Sequence, residues 1–273
     1  MEAATSTMAS LGFVERSFAS GDIDHPVFEK GRGPSVLILH ELPGLAMPCV
    51  RFAERLIDAG FRVHLPLLVG APLRHAALAN WRALCISVEF ARLEAGVHAP
   101  ITDWLRALAA DIAERAGGAR IGAIGMCLTG AFVIPLFIDA AVATGVVSQP
   151  AIPLRIVYRT IGLGEGPWMD QLNISDNELQ AGACAARSDQ KKILLQRYAE
   201  DRLCPGRRLE RIARSFGAQA ELDEYSHPSW WRRVFNPPHA LLTEEYDRAG
   251  DDDHATREAL CRVIELLNEQ LGR

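Results

Sequence analysis

Short, branched apolar runs recur along this chain with amphipathic helical stripes between them, and that order leaves few folds open. "PSVLILH" (34–40) is apolar throughout rather than alternating, which suits a strand buried on both faces of a sheet. "FRVHLPLLV" (61–69), "ARIGAIGM" (119–126), "ATGVVSQ" (143–149), "KKILLQRYAE" (191–200) and "AQAELDEYS" (218–226) read as further strands. Between them, "MPCVRFAERLIDAGF" (47–61) offers Pro48 to open a helix, Phe52, Leu56 and Ile57 on one face, and Gly60 to close it. "ITDWLRALAADIAERAGG" (101–118) has a Thr102/Asp103 start, a Leu105, Leu108, Ile112 stripe and a double-glycine stop. "PGRRLERIARSFG" and "DDDHATREALCRVIELLNEQL" supply two more core-facing helices. The segment after Cys127, up to about Ala143, reads as helical, with Pro135 expected to kink or shorten it. Strands alternating with helices predict an α/β fold, a mainly parallel central sheet with helices on both faces.

No linker-like composition divides the chain, so residues 1–273 read as a single domain. At 49% hydrophobic, that length suffices for a large core. Residues 1–33 would be an N-terminal extension or edge strands, and 153–190, with "GLGEGPWMD", an excursion over the sheet. The 29 Lys and Arg are scattered against 34 Asp and Glu, for a net charge of −5, which leaves no basic face for a nucleic acid. No apolar run approaches a bilayer span and the N-terminus lacks a signal-peptide pattern, so the expectation is a cytoplasmic protein without membrane contact. Six dispersed cysteines with no CxxC pair fit isolated thiols in a reducing compartment. Oligomeric state is left open, a homodimer included.

Chemistry concentrates at "ARIGAIGMCLTGAF" (119–132). Cys127 falls where an apolar strand meets the next segment, with Gly125 before it and Gly130 after it. A nucleophile at such a turn needs small neighbours, and the N-terminus of the following helix supplies free amides that favour a thiolate. The backbone amide of Leu128 would be one oxyanion donor. The plainer alternative is a small buried hydrophobe, a common fate for cysteine.

Together with "GMCLTG", the stretch "HELPGL" (40–45) resembles the dienelactone hydrolase family, a cysteine-nucleophile branch of the α/β-hydrolases. "ITDWLRAL", "AEDRLCP" (199–205) and "HALLTEEYD" (239–247) extend the likeness over most of the chain from about residue 34. The resemblance implies an α/β-hydrolase fold and cleavage of a small ester or lactone through a cysteinyl thioester, without a cofactor. It implies Cys127 as nucleophile, Glu41 as the carboxylate that interacts with the resting thiol, and the Leu42 amide as second oxyanion donor. It also implies Asp201 as the acid that orients a histidine, with Glu200 as a neighbouring rival. For that histidine, His239 matches a longer-loop form of the family. His227 lies nearer the last strand but lacks the usual glycines, and His254 among three aspartates reads as a solvated cap. Two departures stand out: Thr129 where glycine is common, and Pro135 within the segment after the elbow. None of Arg74, Arg82, Arg232 and Arg233 matches the family's substrate-holding arginines.

"WWRRVF" (230–235) would place Trp230, Trp231 and Arg232 at a substrate or ligand site, or else pack its tryptophans on the core. "HELPG" is not a zinc-protease motif, since Gly44 stands where the second histidine belongs, and no metal site is expected. "IGLGEG" lacks a lysine-serine/threonine end and is a poor nucleotide loop. Two other functions remain open on the sequence: a noncatalytic ligand-binding relative, and a redox-responsive thiol protein centred on Cys127.

Overall fold

The structure, a computed structural model, describes residues 7–91, 94–152, 166–249 and 254–272. Its strands are β1 (Val14–Ser20), β2 (Ile23–Gly31), β3 (Ser35–Leu39), β4 (Arg62–Pro66), β5 (Ile121–Met126), β6 (Val142–Ser148), β7 (Lys192–Tyr198) and β8 (Ala220–Tyr225). They form one sheet in the order β1-β2-β4-β3-β5-β6-β7-β8. The first 33 residues supply the edge strands: β1 and β2 pair antiparallel, and β2 joins β4 antiparallel. From β4 to β8 every pairing is parallel. This is the α/β-hydrolase arrangement.

Helices cover both faces because the central strands are apolar on both. Leu37 and Leu39 of β3 point into a core shared with α3 (Pro100–Arg115), α5 (Asp176–Ser188) and α6 (Gly206–Phe216). Val36 and Ile38 point into the opposite core, shared with α1 (Met47–Asp58) and α9 (His254–Leu271). Alternate side chains of a strand face opposite ways, so a strand with all five residues buried needs both layers. The remaining helices are short: α2 (Ala77–Ile86), α4 (Val133–Leu136), α7 (Trp230–Phe235) and α8 (Glu244–Arg248).

Several boundaries differ from the expectation. α3 opens at Pro100, a residue preorganised for a first helical turn, and Thr102 instead turns its hydroxyl onto the Ala99 carbonyl at 2.7 Å. The strand at 61–69 ends at Pro66. After Cys127 the chain runs as a 3₁₀ helix to Phe132 and then only one α turn, and Pro135 lies within that turn. A proline there removes a backbone donor and the helix goes no further, so β6 follows six residues after Leu136. Within the supposed excursion, 153–165 lies outside the described residues, but 176–188 is the crossover helix α5 between β6 and β7. It buries Leu179, Ala183 and Ala186. Its start carried a legible signal: Ser175 and Glu178 form a capping box, with Glu178 N–H donating to Ser175 Oγ at 3.2 Å and Ser175 N–H to Glu178 Oε2 at 2.8 Å.

Parallel register sets the site. Leu39 stands opposite Gly125, Met126 opposite Ser148, and Ser148 opposite Gln196. The residues just beyond β3, β5, β6 and β7 therefore emerge along one edge of the sheet.

Candidate active site

Cys127 follows β5 directly and has φ +54°, a left-handed backbone that a side chain adopts only under constraint. The constraint is packing. A Cβ at Gly125 would meet the Thr129 carbonyl oxygen at 2.5 Å and Val133 Cγ2 at 2.7 Å, so only glycine lets the turn fold back on the strand. Thr129 contributes a second tie. Its Oγ1 accepts the Met126 N–H at 3.2 Å and lies within donating distance of the Leu39 and His40 carbonyls at 3.1 and 3.2 Å. The threonine that departs from the usual glycine thus fastens the elbow to the end of β3.

His239 and Asp201 meet at 2.7 Å, Nδ1 to Oδ2. Asp201 Oδ1 accepts the backbone N–H groups of Leu203 at 2.8 Å and Cys204 at 3.2 Å, so both carboxylate oxygens are engaged and the side chain is buried. The loop is braced from behind by Arg197, which donates to the Cys204 and Ala199 carbonyls at 2.8 Å each. Burial alone would depress the His239 imidazole. The charges of Asp201 and Cys127, with the hydrogen bond to Asp201, outweigh it and hold the ring's pKa well above its ordinary 6.5. Its Nε2 is buried and has no hydrogen-bond partner of ordinary geometry among the described residues, and the ring shares its cavity with the Cys127 thiol.

Glu41 and Cys127 line one cavity of about 220 Å³ with Pro43, Arg232, His239 and Glu245 among its walls. Glu41 is held by Gln149 and Thr243, which donate to Oε1 at 3.0 Å each. Among the described residues it makes no hydrogen bond to the Cys127 thiol. Burial raises its pKa, a shift that the His239 charge and the two donors reduce without cancelling. Gln149 itself sits at φ +34°, fully buried at the end of β6.

A model of the dienelactone hydrolase family matches residues 25–271. The chain belongs to the dienelactone hydrolase family. As a member it is a carboxylic ester hydrolase by class. A proposed carboxymethylenebutenolidase of Saccharomyces cerevisiae is 22% identical over 253 residues, covering 89% of this chain and 83% of that one. Among solved structures, a dienelactone hydrolase-like promiscuous phosphotriesterase from metagenomic libraries superposes with a TM-score of 0.62 at 14% identity, covering 94% of this chain and 98% of that chain. The Pyrococcus furiosus esterase Pf2001 gives 0.56 at 15% identity, covering 98% and 97%. At such identities these structures show a shared fold.

Within this family member the other histidine and acid candidates lie elsewhere. His227 Nδ1 accepts the Ser229 N–H at 3.1 Å and its ring lies against Tyr198, while Glu200 takes the Ser226 hydroxyl and the His227 amide. Neither contacts Asp201 or Cys127 among the described contacts. His254 is the first residue of α9.

Of the "WWRRVF" residues only Arg232 lines the cavity, and Glu245 takes its guanidinium at 2.6 Å. Trp230 and Trp231 do not line it. They stand 64% and 54% exposed on α7, none of whose residues is buried, and they pack on Phe235 instead of on the core. Arg74 lines a separate groove beside Met8 and Met47, and Arg82 and Arg233 lie outside the cavity lining. Gln149 and Thr243 were not singled out in the sequence. Thr243 had one available signal, its place four residues after His239 in "HALLTEEYD". Gln149 had none, since its relevance depends on the end of β6 reaching Glu41 just past β3, with β5 between the two strands. Among the described residues, no cluster of three or more His, Cys, Asp or Glu is placed to hold a metal, and no helix is long and apolar enough to cross a membrane.

Proposed function

We propose that this protein hydrolyses small esters or lactones through a thioester on Cys127. The observation that carries the reading is the 2.7 Å bond between His239 Nδ1 and Asp201, with Cys127, at a left-handed elbow, lining the same cavity as His239. The Cys127 thiolate attacks the substrate carbonyl carbon, and the carbonyl electrons move to the oxygen, which the amides of Leu42 and Leu128 hold. Collapse breaks the bond to the leaving alkoxide, which takes its proton from His239 Nε2. Water then gives a proton back to Nε2 and attacks the thioester, and collapse returns the thiolate and releases the acid. Asp201 keeps Nδ1 protonated throughout, so that Nε2 is the atom that shuttles. Glu41 stands on the same cavity wall as Cys127, with a pKa raised by burial, and we assign to it the exchange of the thiol proton as substrate enters. The cavity volume of about 220 Å³ favours a short acyl group.

The test is hydrolysis of p-nitrophenyl acetate and simple lactones by wild type, Cys127→Ala and Cys127→Ser, with iodoacetamide labelling mapped by peptide mass. Turnover is expected to vanish in Cys127→Ala, and at pH 7 labelling is expected at Cys127 ahead of the exposed Cys184 and Cys261. Equal turnover in Cys127→Ala, or labelling of Cys127 only after denaturation, would overturn the reading.

A further inference from the structure

His40 is 1% exposed and is not part of the lining of the cavity at Cys127, yet both of its ring nitrogens are committed. Nε2 lies 3.0 Å from the backbone N of Leu68, which can only donate, so Nε2 accepts. The ring proton must then be on Nδ1, which lies 2.8 Å from the Glu41 carbonyl oxygen and donates to it. Burial pushes the ring's pKa down to about 4, against a smaller opposing effect of the Glu41 carbonyl, so this neutral tautomer persists at neutral pH.

The Glu41 carbonyl also accepts the Gly44 N–H at 3.0 Å, closing a turn over residues 41–44. Both of its lone pairs are therefore used, and the carbonyl cannot swing. That carbonyl shares a planar, trans peptide unit with the amide of Leu42, whose N–H points the opposite way. Fixing the oxygen fixes the direction of the N–H. Among the described residues the Leu42 amide donates no backbone hydrogen bond, and it sits between the cavity-lining Glu41 and Pro43. Asn80 holds the far side of the same loop, donating to the Pro43 carbonyl at 3.2 Å. Thr129 Oγ1 lies 3.2 Å from the His40 carbonyl, which links this loop to the elbow that carries Leu128.

We infer that His40 is a positioning residue for oxyanion stabilisation: its Nδ1–H clamps the Glu41 carbonyl and so aims the Leu42 amide at the reacting carbonyl. The inference rests on the reading of Leu42 as an oxyanion donor. His40 does not touch substrate, so its effect belongs on kcat rather than KM.

Two substitutions separate the ring's two bonds. His40→Asn places an amide nitrogen where Nδ1 stands and can keep the clamp on Glu41. His40→Gln reaches the Nε2 position and can keep the bond from Leu68 while losing the clamp. The assays are kcat and KM on p-nitrophenyl acetate, the rate of Cys127 alkylation by iodoacetamide, and thermal melting. Alkylation is a displacement at carbon that generates no oxyanion, so it reports the nucleophile without the Leu42 amide.

His40→Gln is expected to lose roughly 10²-fold in kcat, as for a displaced or missing oxyanion donor, with KM and alkylation within about threefold of wild type. His40→Asn is expected to recover most of that loss. Wild-type kcat in a folded His40→Gln would overturn the inference, as would equal losses in the two variants or alkylation falling in step with turnover. Should both variants fail to fold, Asn80→Asp, which replaces the donor to the loop carbonyls, is expected to lower kcat with the same unchanged alkylation, and normal turnover there would likewise overturn the clamp. A wild type that alkylates selectively but hydrolyses no ester defeats the hydrolase reading and this inference with it; a hydrolysing wild type with an unaffected His40→Gln defeats this inference alone.

Discussion

Replacing Asp201 with asparagine isolates the tautomer argument. One carboxylate oxygen accepts two backbone N–H groups, Leu203 at 2.8 Å and Cys204 at 3.2 Å, and the other faces His239 Nδ1 at 2.7 Å. An asparagine amide has one oxygen and one NH₂ to place in these two positions. Turning the NH₂ toward Leu203 and Cys204 would set donors against two buried donors and lose both bonds, at roughly 1–3 kcal/mol for each unsatisfied group. The oxygen must therefore stay with the backbone, and the NH₂ must face His239. The imidazole can meet it only by making Nδ1 the acceptor and carrying its proton on Nε2, where it cannot take a proton from water. From that forced tautomer, kcat for p-nitrophenyl acetate should fall by about 10⁴-fold, equivalent to about 5 kcal/mol of barrier. The fold should survive, since the backbone bonds persist. A melting shift of a few degrees is expected, at about 2–4 °C per kcal/mol for a chain of this size. A folded Asp201→Asn that retains more than about a tenth of wild-type kcat would refute the assignment of His239 and Asp201 as a working pair.

Two further perturbations follow from buried carboxylates of opposite character. Glu41 has a raised pKa, so its folded form binds a proton more tightly than the unfolded chain, and stability declines as pH rises from about 4.5 through the folded value. Glu41→Gln keeps an oxygen for Gln149 and Thr243, and is expected to melt a few degrees higher than wild type at pH 8 but not at pH 4.5, while turning over ester more slowly; a lower melting point at pH 8 would contradict this. Glu29 is the reverse case: burial alone would raise it, but the nearby His64 ring and the hydrogen bonds from Arg16 and Arg62 outweigh burial and hold it far below its ordinary 4.5. Its contribution is present above pH 4.5 and is lost progressively as pH falls from there toward the far lower folded value, so Glu29→Gln should be more destabilised at pH 7 than at pH 3; a gap that does not narrow between pH 7 and pH 3 would refute it.

Much of the fold is legible locally because buried parallel strands need branched apolar runs and their helices need one apolar stripe. "PSVLILH" and "ARIGAIGM" are strands for that reason, and α1, α6 and α9 begin and end close to their sequence signals. Boundaries differ where the pattern ran on: β4 ends early at Pro66, and after Cys127 the chain is 3₁₀ to Phe132 with only one α turn, the one that contains Pro135. The crossover helix α5 went unread although its capping box was present, because its apolar stripe is made of small residues such as Ala183 and Ala186.

The site divides along the same line. Gly125, Cys127 and Gly130 lie within one turn, so their chemistry is written in adjacent letters. Sequence by itself therefore determined the layered α/β architecture and a cysteine at a strand-to-helix elbow. The 2.7 Å meeting of His239 with Asp201, the hold of Gln149 and Thr243 on Glu41, and the two bonds of His40 are visible only in three dimensions. Those contacts join residues as far apart as Glu41 and Thr243, 202 positions along the chain. Parallel strand order brings their strand ends to one edge, and hydrogen-bond geometry at about 3 Å selects among groups that a sequence leaves equivalent.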